Sequence, residues 1–312
     1  MKLGVWVIII AIGVLLGDAD TVLAWGPGTH IALSGSILER LQLLPTAIGA
    51  LLARHGIAYL YGSIAADMVF AKRLSRVKQF CHHWSTGFRL LDAAETDRDR
   101  SFAYGYLSHL AADTVAHGKF VPRQIVVSNC AVGLGHLYWE LRADSMQSEH
   151  SWALLSDVLR QDHQRHHRAL ECHIIDTFLP YGMNRRLFER VNALTVRRRF
   201  RRTVDVWNRC SRWHLPPELL AGYQSECIDR IESVLTLEDH SPVLRDDPNG
   251  TSALMQLRAR RRQVRRWRMM GFPARHHVLE ALRGLAPESS PLPVVERSKV
   301  PWSAVGCRQL TE

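Results

Sequence analysis

Histidines and carboxylates recur at helical spacing in the first half of the chain. His109, Asp113 and His117 follow one another at intervals of four residues, so on an α-helix they drift by only about 40° per step and share one face. His136 and Glu140 repeat this interval further along the chain. Imidazole nitrogens and carboxylate oxygens are ligands that Zn²⁺ prefers in proteins. The spacing therefore indicates a metal site.

Further candidate ligands precede these residues. Asp67 ends a segment of small and apolar residues, and His82 and His83 come directly before Trp84. A lone His–Asp pair at this spacing is usually a surface hydrogen bond. Here, however, several such groups lie in apolar segments rich in small residues, where burying unpaired charges is costly. Together they predict that a cation is bound.

The first 24 residues have the pattern of a secretory signal peptide. Lys2 precedes an apolar run at residues 3–16, and Val22-Leu23-Ala24 places small residues at positions −3 and −1 of a cleavage site. The run is short for a membrane span, and an uncleaved anchor is the alternative. Cleavage after Ala24 would leave a mature protein that begins at Trp25. We expect that protein to be exported, either periplasmic or secreted, with peripheral attachment to a membrane as a further possibility.

The composition is that of a globular protein with an excess of basic residues. Hydrophobic residues make up 46% and charged residues 22%, which excludes a largely disordered chain. Lys and Arg number 40 against 30 Asp and Glu, and the formal charge of +10 suits membrane lipid, nucleic acid or a phosphate-bearing substrate. The six cysteines include no C-x-x-C pair. Pairing of Cys210 with Cys227 and burial of both as free thiols remain open.

Hydrophobic periodicity indicates helices, with no alternating strand pattern of any length. A loop is predicted at 96–99. The predicted helices cover residues 30–44, 46–54, 57–70, 85–95, 101–117, 134–149 and 151–172. From residue 184 the chain is rich in Arg, with basic runs at 197–202 and 258–268. The sequence therefore predicts an all-α, multi-helix bundle of one domain with a helical C-terminal extension.

A second group of histidines follows the candidate ligands. His163, His166, His167 and His173 have a spacing that a metal face could use, but no carboxylate sits regularly with them. The preferred interpretation is a solvated, basic helix face. The Arg runs are interpreted in the same way, with docking on anionic lipid headgroups as the alternative.

The order of the motifs resembles the zinc-dependent phospholipase C family, which includes secreted bacterial lecithinases and phospholipase C/D-type domains. The resemblance covers residues 25–145. The matching segments are Trp25–His30, Gly62–Asp67, His82–Trp84, His109–His117 and His136–Glu140. The resemblance implies an all-α protein with up to three Zn²⁺ ions in a cleft. The implied divisions are a signal peptide at 1–24, a phospholipase C-like core at 25–150, a basic helical extension of the same domain at 151–285 and an irregular tail at 286–312.

The resemblance also implies how the ligands are shared. In this family the N-terminal Trp exposed by signal cleavage binds zinc through its free amino group and carbonyl oxygen. The implied ligands form three groups, one for each ion. The first group is Trp25, His30 and Asp113. The second is Asp67, His82, His109 and Asp113, and the third is His117, His136 and Glu140. Asp113 would bridge two ions, and His82 is preferred to His83. The interval between Asp113 and His117 is four residues where the secreted lecithinases have six, so this chain looks more like the phospholipase-C-like branch.

The implied function is a zinc-dependent phosphodiester hydrolase of phospholipase C type that cleaves phospholipid headgroups by a zinc-bound hydroxide. Asp67 would orient or deprotonate the attacking water. The first alternative is a secreted, single-strand-specific nuclease type of phosphodiesterase, whose last motif ends in Asp where this chain has Glu140. The second is a non-catalytic, metal-stabilised lipid-binding protein. The expected partner is a phospholipid or membrane surface, nucleic acid is less favoured, and no protein partner is implied.

Overall fold

The computed structural model describes residues 25–69, 80–128, 130, 132–174, 177–211, 213–270 and 285. In these ranges the chain forms helices and no β-strand, which confirms the all-α prediction. The helices are α1 (Pro27–Leu38), α2 (Thr46–Arg54), α3 (Gly56–Ala65), α4 (Trp84–Asp92), α5 (Asp97–Val115), α6 (Val121–Ser128), α7 (Val132–Ser145), α8 (Glu149–Leu159), α9 (Gln164–His173), α10 (Tyr181–Thr195), α11 (Arg198–Arg209), α12 (Pro217–Leu237) and α13 (Thr251–Met269). None of the described helices is both long and apolar enough to cross a bilayer. The predicted signal peptide, the predicted tail and Cys307 lie outside the described residues.

Helix α5 runs through the centre of the molecule. Every residue from Ser101 to Val115 is buried, and α3, α4 and α12 pack around it. A helix that is buried on all sides must satisfy or neutralise each polar side chain that it carries. The predicted loop at 96–99 is wrong, because Thr96 caps α5. The Thr96 hydroxyl accepts from the Asp99 backbone N–H at 3.2 Å, and the Asp99 carboxylate accepts from the Thr96 N–H at 3.1 Å.

Helices α3 and α5 cross with their backbones in contact. A Cβ atom on Gly62 would lie 2.0 Å from the Phe102 carbonyl oxygen, and one on Gly105 would lie 1.9 Å from the Tyr59 carbonyl oxygen. Only glycine allows this approach. The crossing places the end of α3, and the 3₁₀ turn Ala66–Met68 that follows it, beside the middle of α5.

Helix α1 is joined at its N-terminus to α7 by a buried carboxylate. Asp144 accepts hydrogen bonds from the Thr29 backbone N–H at 2.6 Å, the Thr29 hydroxyl at 2.9 Å and the Gly28 N–H at 3.3 Å. Burial raises the pKa of Asp144 to about 6, although these donors favour its ionised form. An anionic acceptor at a helix N-terminus satisfies N–H groups that have no partner within the helix.

Among the predicted helices only the one at 46–54 has the observed boundaries, and the helix predicted at 30–44 ends at Leu38. The helix predicted at 57–70 ends at Ala65, and the one predicted at 134–149 ends at Ser145. The region predicted as one helix at 151–172 is two helices, α8 and α9. The break arises because the Asp162 side chain accepts from the Gln164 N–H at 2.9 Å, which competes with helical hydrogen bonding.

Candidate metal centre

Helix α5 and the turn after it carry the predicted stripe on one face. His109 Nε2 lies 3.1 Å from Asp113 Oδ2, and His117 Nε2 lies 3.9 Å from the same oxygen. All three side chains are buried. His117 lies in the π-helical turn Ala116–Phe120, which continues α5. Such turns are frequent at functional sites because they change the direction in which side chains point.

Two further side chains complete a compact cluster around Asp113. His82 Nε2 lies 3.2 Å from Asp113 Oδ2, 3.2 Å from His109 Nε2 and 3.3 Å from Asp67 Oδ1. Ligand atoms bound tetrahedrally to zinc at 2.0–2.1 Å are separated from one another by about 3.3–3.4 Å. Asp67 Oδ2 is farther away, 4.0 Å from His109 Nε2. The three distances among His82, His109 and Asp113 fit one Zn²⁺ ion, and Asp67 lies beside them.

The other oxygen of Asp113 faces the N-terminal part of the chain. His30 Nε2 lies 3.4 Å from Asp113 Oδ1, and the His30 ring stacks on His109 with centroids 3.9 Å apart. The Trp25 indole is fully buried and donates to the Ala112 carbonyl oxygen at 3.3 Å. Asp113 therefore presents its two oxygens to different histidines, an arrangement in which it could bridge two ions.

The third predicted set lies on α7 beside the π-helical turn. His136 Nε2 is 3.2 Å from Glu140 Oε1, and the His136 and His117 ring centroids are 5.0 Å apart. In the part of the chain that the structure describes, two sets of three side chains bring their ligating atoms within 4.8 Å of one another: His30, His109 and Asp113; and Asp67, His82 and His109. The set of His117, His136 and Glu140 is more open than these two.

Several polar atoms of the cluster are buried without hydrogen bonds. Within the described residues, His30 Nε2, both Asp113 carboxylate oxygens and both His136 ring nitrogens have no hydrogen-bond partner of acceptable geometry. Burial lowers the pKa of His30 and of His136, so both rings are neutral, as metal ligation requires. Burial alone would raise the pKa of Asp113, but His109 and the other neighbouring histidines hold it well below its usual range. An ionised carboxylate in contact with the neutral His30 ring fits a divalent cation.

Backbone groups orient two of the histidines. His109 Nδ1 donates to the Ser63 carbonyl oxygen at 2.9 Å, which leaves Nε2 to face Asp113. The Asn249 side-chain amide donates to the His82 carbonyl oxygen at 3.1 Å. His82 is 3% exposed, whereas the neighbouring His83 is on the surface. The structure thus places His82, the residue that the sequence favours, in the cluster and His83 at the surface.

The segment Asp246–Gly250 is part of the site and was not predicted to be. A Cβ atom on Gly250 would lie 2.5 Å from the His117 Cβ, and the Trp84 indole donates to the Asp246 carbonyl oxygen at 3.0 Å. The residue types of this segment predict only a break between helices. The available signal was its Asp-Pro-Asn-Gly composition, which indicates a tight turn but not the surface on which the turn packs.

Three histidines of the second group, His163, His166 and His167, are buried and His173 is partly buried, so the prediction of a solvated face is wrong. His163 stacks on Tyr61 with centroids 3.5 Å apart, and His166 stacks on Phe102 at 4.5 Å. His167 lies between the hydroxyls of two tyrosines, at 3.2 Å and 3.0 Å. The prediction failed because it considered α9 alone, whereas α3 and α5 supply aromatic rings that cover these imidazoles.

Cys227 is a buried free thiol, so no disulfide joins it to Cys210.

An all-α bundle that buries imidazoles and carboxylates around Asp113 defines a class of metal-binding helical proteins. A model of the family zinc-dependent phospholipase C matches residues 29–188, just over half of the 312-residue chain. The chain belongs to the zinc-dependent phospholipase C family. Every predicted ligand except Trp25 lies within the matched residues. No curated protein and no solved structure matches the chain.

Proposed function

We propose that the protein is a zinc-dependent phosphodiester hydrolase of phospholipase C type that releases the phosphorylated headgroup of a phospholipid. The observation that carries this proposal is a pair of buried ligand sets that share His109, one with His30 and Asp113 and one with Asp67 and His82, both within the family match. The proposal includes export of the protein and binding of up to three ions by the nine predicted ligands.

The chemistry requires a site that attracts a phosphodiester anion and supplies a nucleophile. When bound, zinc lowers the pKa of a coordinated water to about 7 and polarises a phosphoryl oxygen. The chain contributes three carboxylates, those of Asp67, Asp113 and Glu140, and histidines add no charge to the site when they bind zinc as neutral imidazoles. This ligand charge neutralises only part of the charge on the ions, so the site retains positive charge for the substrate and its transition state.

Individual side chains have separate roles in this proposal. Asp113 presents Oδ1 to His30 and Oδ2 to His82 and His109, so it would contribute to holding metal on both sides. Asp67 is at the edge of the cluster, with its side chain 11% exposed. Its Oδ1 faces His82 at 3.3 Å, whereas Oδ2 is 4.0 Å from His109 Nε2. We assign Oδ2 of Asp67 to orient the attacking water and accept its proton.

The proposal is tested by metal analysis and substrate comparison on the purified mature protein. Zinc content is measured by mass spectrometry. Hydrolysis of phosphatidylcholine, phosphatidylinositol and single-stranded DNA is then measured side by side, with and without a chelator. We expect bound zinc and release of diglyceride with a phosphorylated headgroup, abolished by the chelator. His82→Ala should lose activity by at least about a hundredfold, whereas His83→Ala, the same change at the exposed neighbour, should retain it.

The possible outcomes separate the alternatives. Release of phosphatidate would indicate phospholipase D chemistry and overturn the assigned cleavage position. Cleavage of DNA alone would favour the nuclease alternative and overturn the lipid substrate while keeping the phosphodiesterase. Protein with bound zinc that hydrolyses none of the three substrates would support the non-catalytic alternative.

A further inference from the structure

Helix α13 carries an unusual charge for a helix in a folded protein. Residues 251–270 contain seven arginines and no Asp or Glu. Arginines four residues apart, such as Arg258 with Arg262 and Arg262 with Arg266, face one another along the helix, and like charges at this interval destabilise it. A surface of this kind is favoured when an anionic partner neutralises it.

The exposed residues of α13 form one continuous surface. Met255, Arg258, Arg262, Arg266 and Met269 fall within an arc of about 80° and extend over about 21 Å along the helix. We call this surface the arginine–methionine stripe. All five side chains are exposed, including Met255 at 60% and Met269 at 82%. In the described part of the chain, Arg262 and Arg266 have no acidic partner.

The buried side of α13 packs against the elements that carry the metal centre. Leu254 and Leu257 are buried, and the helix packs on α6 and on the π-helical turn that carries His117. The segment just before α13 contacts His117 through Gly250 and His82 through Asn249. The helix that carries the stripe is therefore attached, at its N-terminal end, to the segment that packs on the candidate active site.

We propose that the arginine–methionine stripe docks the protein on an anionic phospholipid surface. This inference rests on the proposed function, since it identifies the membrane that holds the substrate. Arg side chains suit the headgroup layer, where each contributes about 1 kcal/mol of attraction to an anionic surface. Exposed thioether side chains at both ends of the stripe suit the boundary between headgroups and acyl chains. A nucleic acid would use the charge alone and gain little from exposed methionines.

The test measures vesicle binding without hydrolysis. The zinc-free protein, kept in chelator, is sedimented with vesicles of phosphatidylcholine with and without phosphatidylglycerol. We expect binding only to the vesicles that contain phosphatidylglycerol, and weaker binding as salt is added. The double variant Arg262→Ser/Arg266→Ser should bind about 30-fold more weakly. Met255→Ser/Met269→Ser should also bind more weakly, with a loss that persists at high salt.

The matched control removes the same charge elsewhere. Arg186 and Arg190 are exposed on α10 at the same four-residue interval, so Arg186→Ser/Arg190→Ser should bind within about twofold of the wild type. An equal loss in both double variants would show a non-specific charge effect and overturn the assignment of the stripe. Wild-type binding to a DNA oligonucleotide but not to vesicles would also overturn it. Hydrolysis of a short-chain, monomeric phospholipid is assayed separately, so failure of the proposed function is distinguished from failure of docking.

Discussion

Asp113 is the residue on which the candidate metal centre converges. Its Oδ1 faces His30, and its Oδ2 lies within 3.1–3.2 Å of nitrogens from His82 and His109. It is fully buried and ionised, so its charge must be balanced by cations in contact with it. We expect metal ions bound between the imidazoles to supply that balance.

Replacing Asp113 should therefore reduce the amount of bound zinc more than replacing a ligand of a single ion. We expect Asp113→Asn to lose two zinc ions, because the substitution removes the charge that both share, and His117→Ala to lose one. Native mass spectrometry of the purified variants gives the stoichiometry. Asp92→Asn, the same substitution at an exposed position on α4, should keep the full complement. Loss of a single ion in both ligand variants would contradict a bridging role.

His166 should make the protein sensitive to acid independently of metal. Burial lowers the pKa of His166 to about 3, with His163 and Arg98 adding to the effect and Asp99 opposing it. The unfolded chain has a His pKa of about 6.5. Between these values the unfolded state binds more protons, so stability is fully present above about pH 6.5 and falls as pH is lowered. At pH 5 the loss is about 2 kcal/mol.

The variant His166→Leu should remove this part of the pH dependence. Both ring nitrogens of His166 lack hydrogen-bond partners within the described residues, so an apolar side chain leaves no partner unsatisfied. Urea unfolding at pH 7 and pH 5, in chelator, compares the two free energies. The variant should lose about 2 kcal/mol less than the wild type over this interval. His150→Leu, at an exposed histidine, is the control, and an equal loss in all three proteins would show that His166 is not the sensitive group.

At the scale of elements, the segment Asp246–Gly250 packs against one side of the metal centre. This segment lies outside the residues that the family model matches. Gly250 has φ of +63°, a conformation that L side chains rarely adopt, and its Cα faces His117. Arg230 on α12 pairs with Asp246 and also donates to the Thr114 hydroxyl at 2.9 Å, beside Asp113. Helices α12 and α13 therefore hold the segment against α5.

Gly250→Ala should disturb the third set of ligands before the others. Alanine must accept a left-handed conformation at a cost of about 1 kcal/mol, and its Cβ would lie 2.5 Å from the His117 Cβ, so His117 must move. We expect loss of the ion held by His117 with the others retained, measured as zinc per chain. Gly182→Ala on α10, where a Cβ would meet nothing within 4 Å, should change neither stoichiometry nor stability by a measurable amount. Full zinc content in Gly250→Ala would show that the segment does not position His117.

Local sequence patterns predicted the elements that carry ligands, and they failed where contacts are distant in sequence. The stripe of His109, Asp113 and His117 follows from helical geometry alone, because four-residue intervals determine a face. The start of α5 was missed although its capping box, Thr96 with Asp99, is local. The packing of Gly250 on His117 joins residues more than a hundred positions apart, and no periodicity reports such a contact. The burial of His166 was missed for the same reason, since its cover comes from α5.

At the scale of the whole molecule, Trp25, the first residue that the structure describes, lies inside the core. The Trp25 ring is fully buried, stacks on Phe120 at 4.6 Å and is held by the Ala112 carbonyl, one residue before Asp113. The position of Trp25 beside α5 gives the predicted cleavage after Ala24 a structural consequence. A free amino group at Trp25 is a nitrogen ligand once it is deprotonated, whereas the amide of an uncleaved chain is not.

The exported protein should therefore begin at Trp25, and its first residue should determine how much zinc it holds. N-terminal sequencing of the exported protein tests the start. A variant with one Ala inserted between the leader and Trp25 should fold yet bind one ion fewer, because the amino group is displaced from the cluster. Trp25→Phe keeps a free N-terminus and a ring on Phe120, so it should keep the zinc content despite losing the hydrogen bond to Ala112. A different first residue, or full zinc content in the extended variant, would exclude the amino group of Trp25 as a ligand.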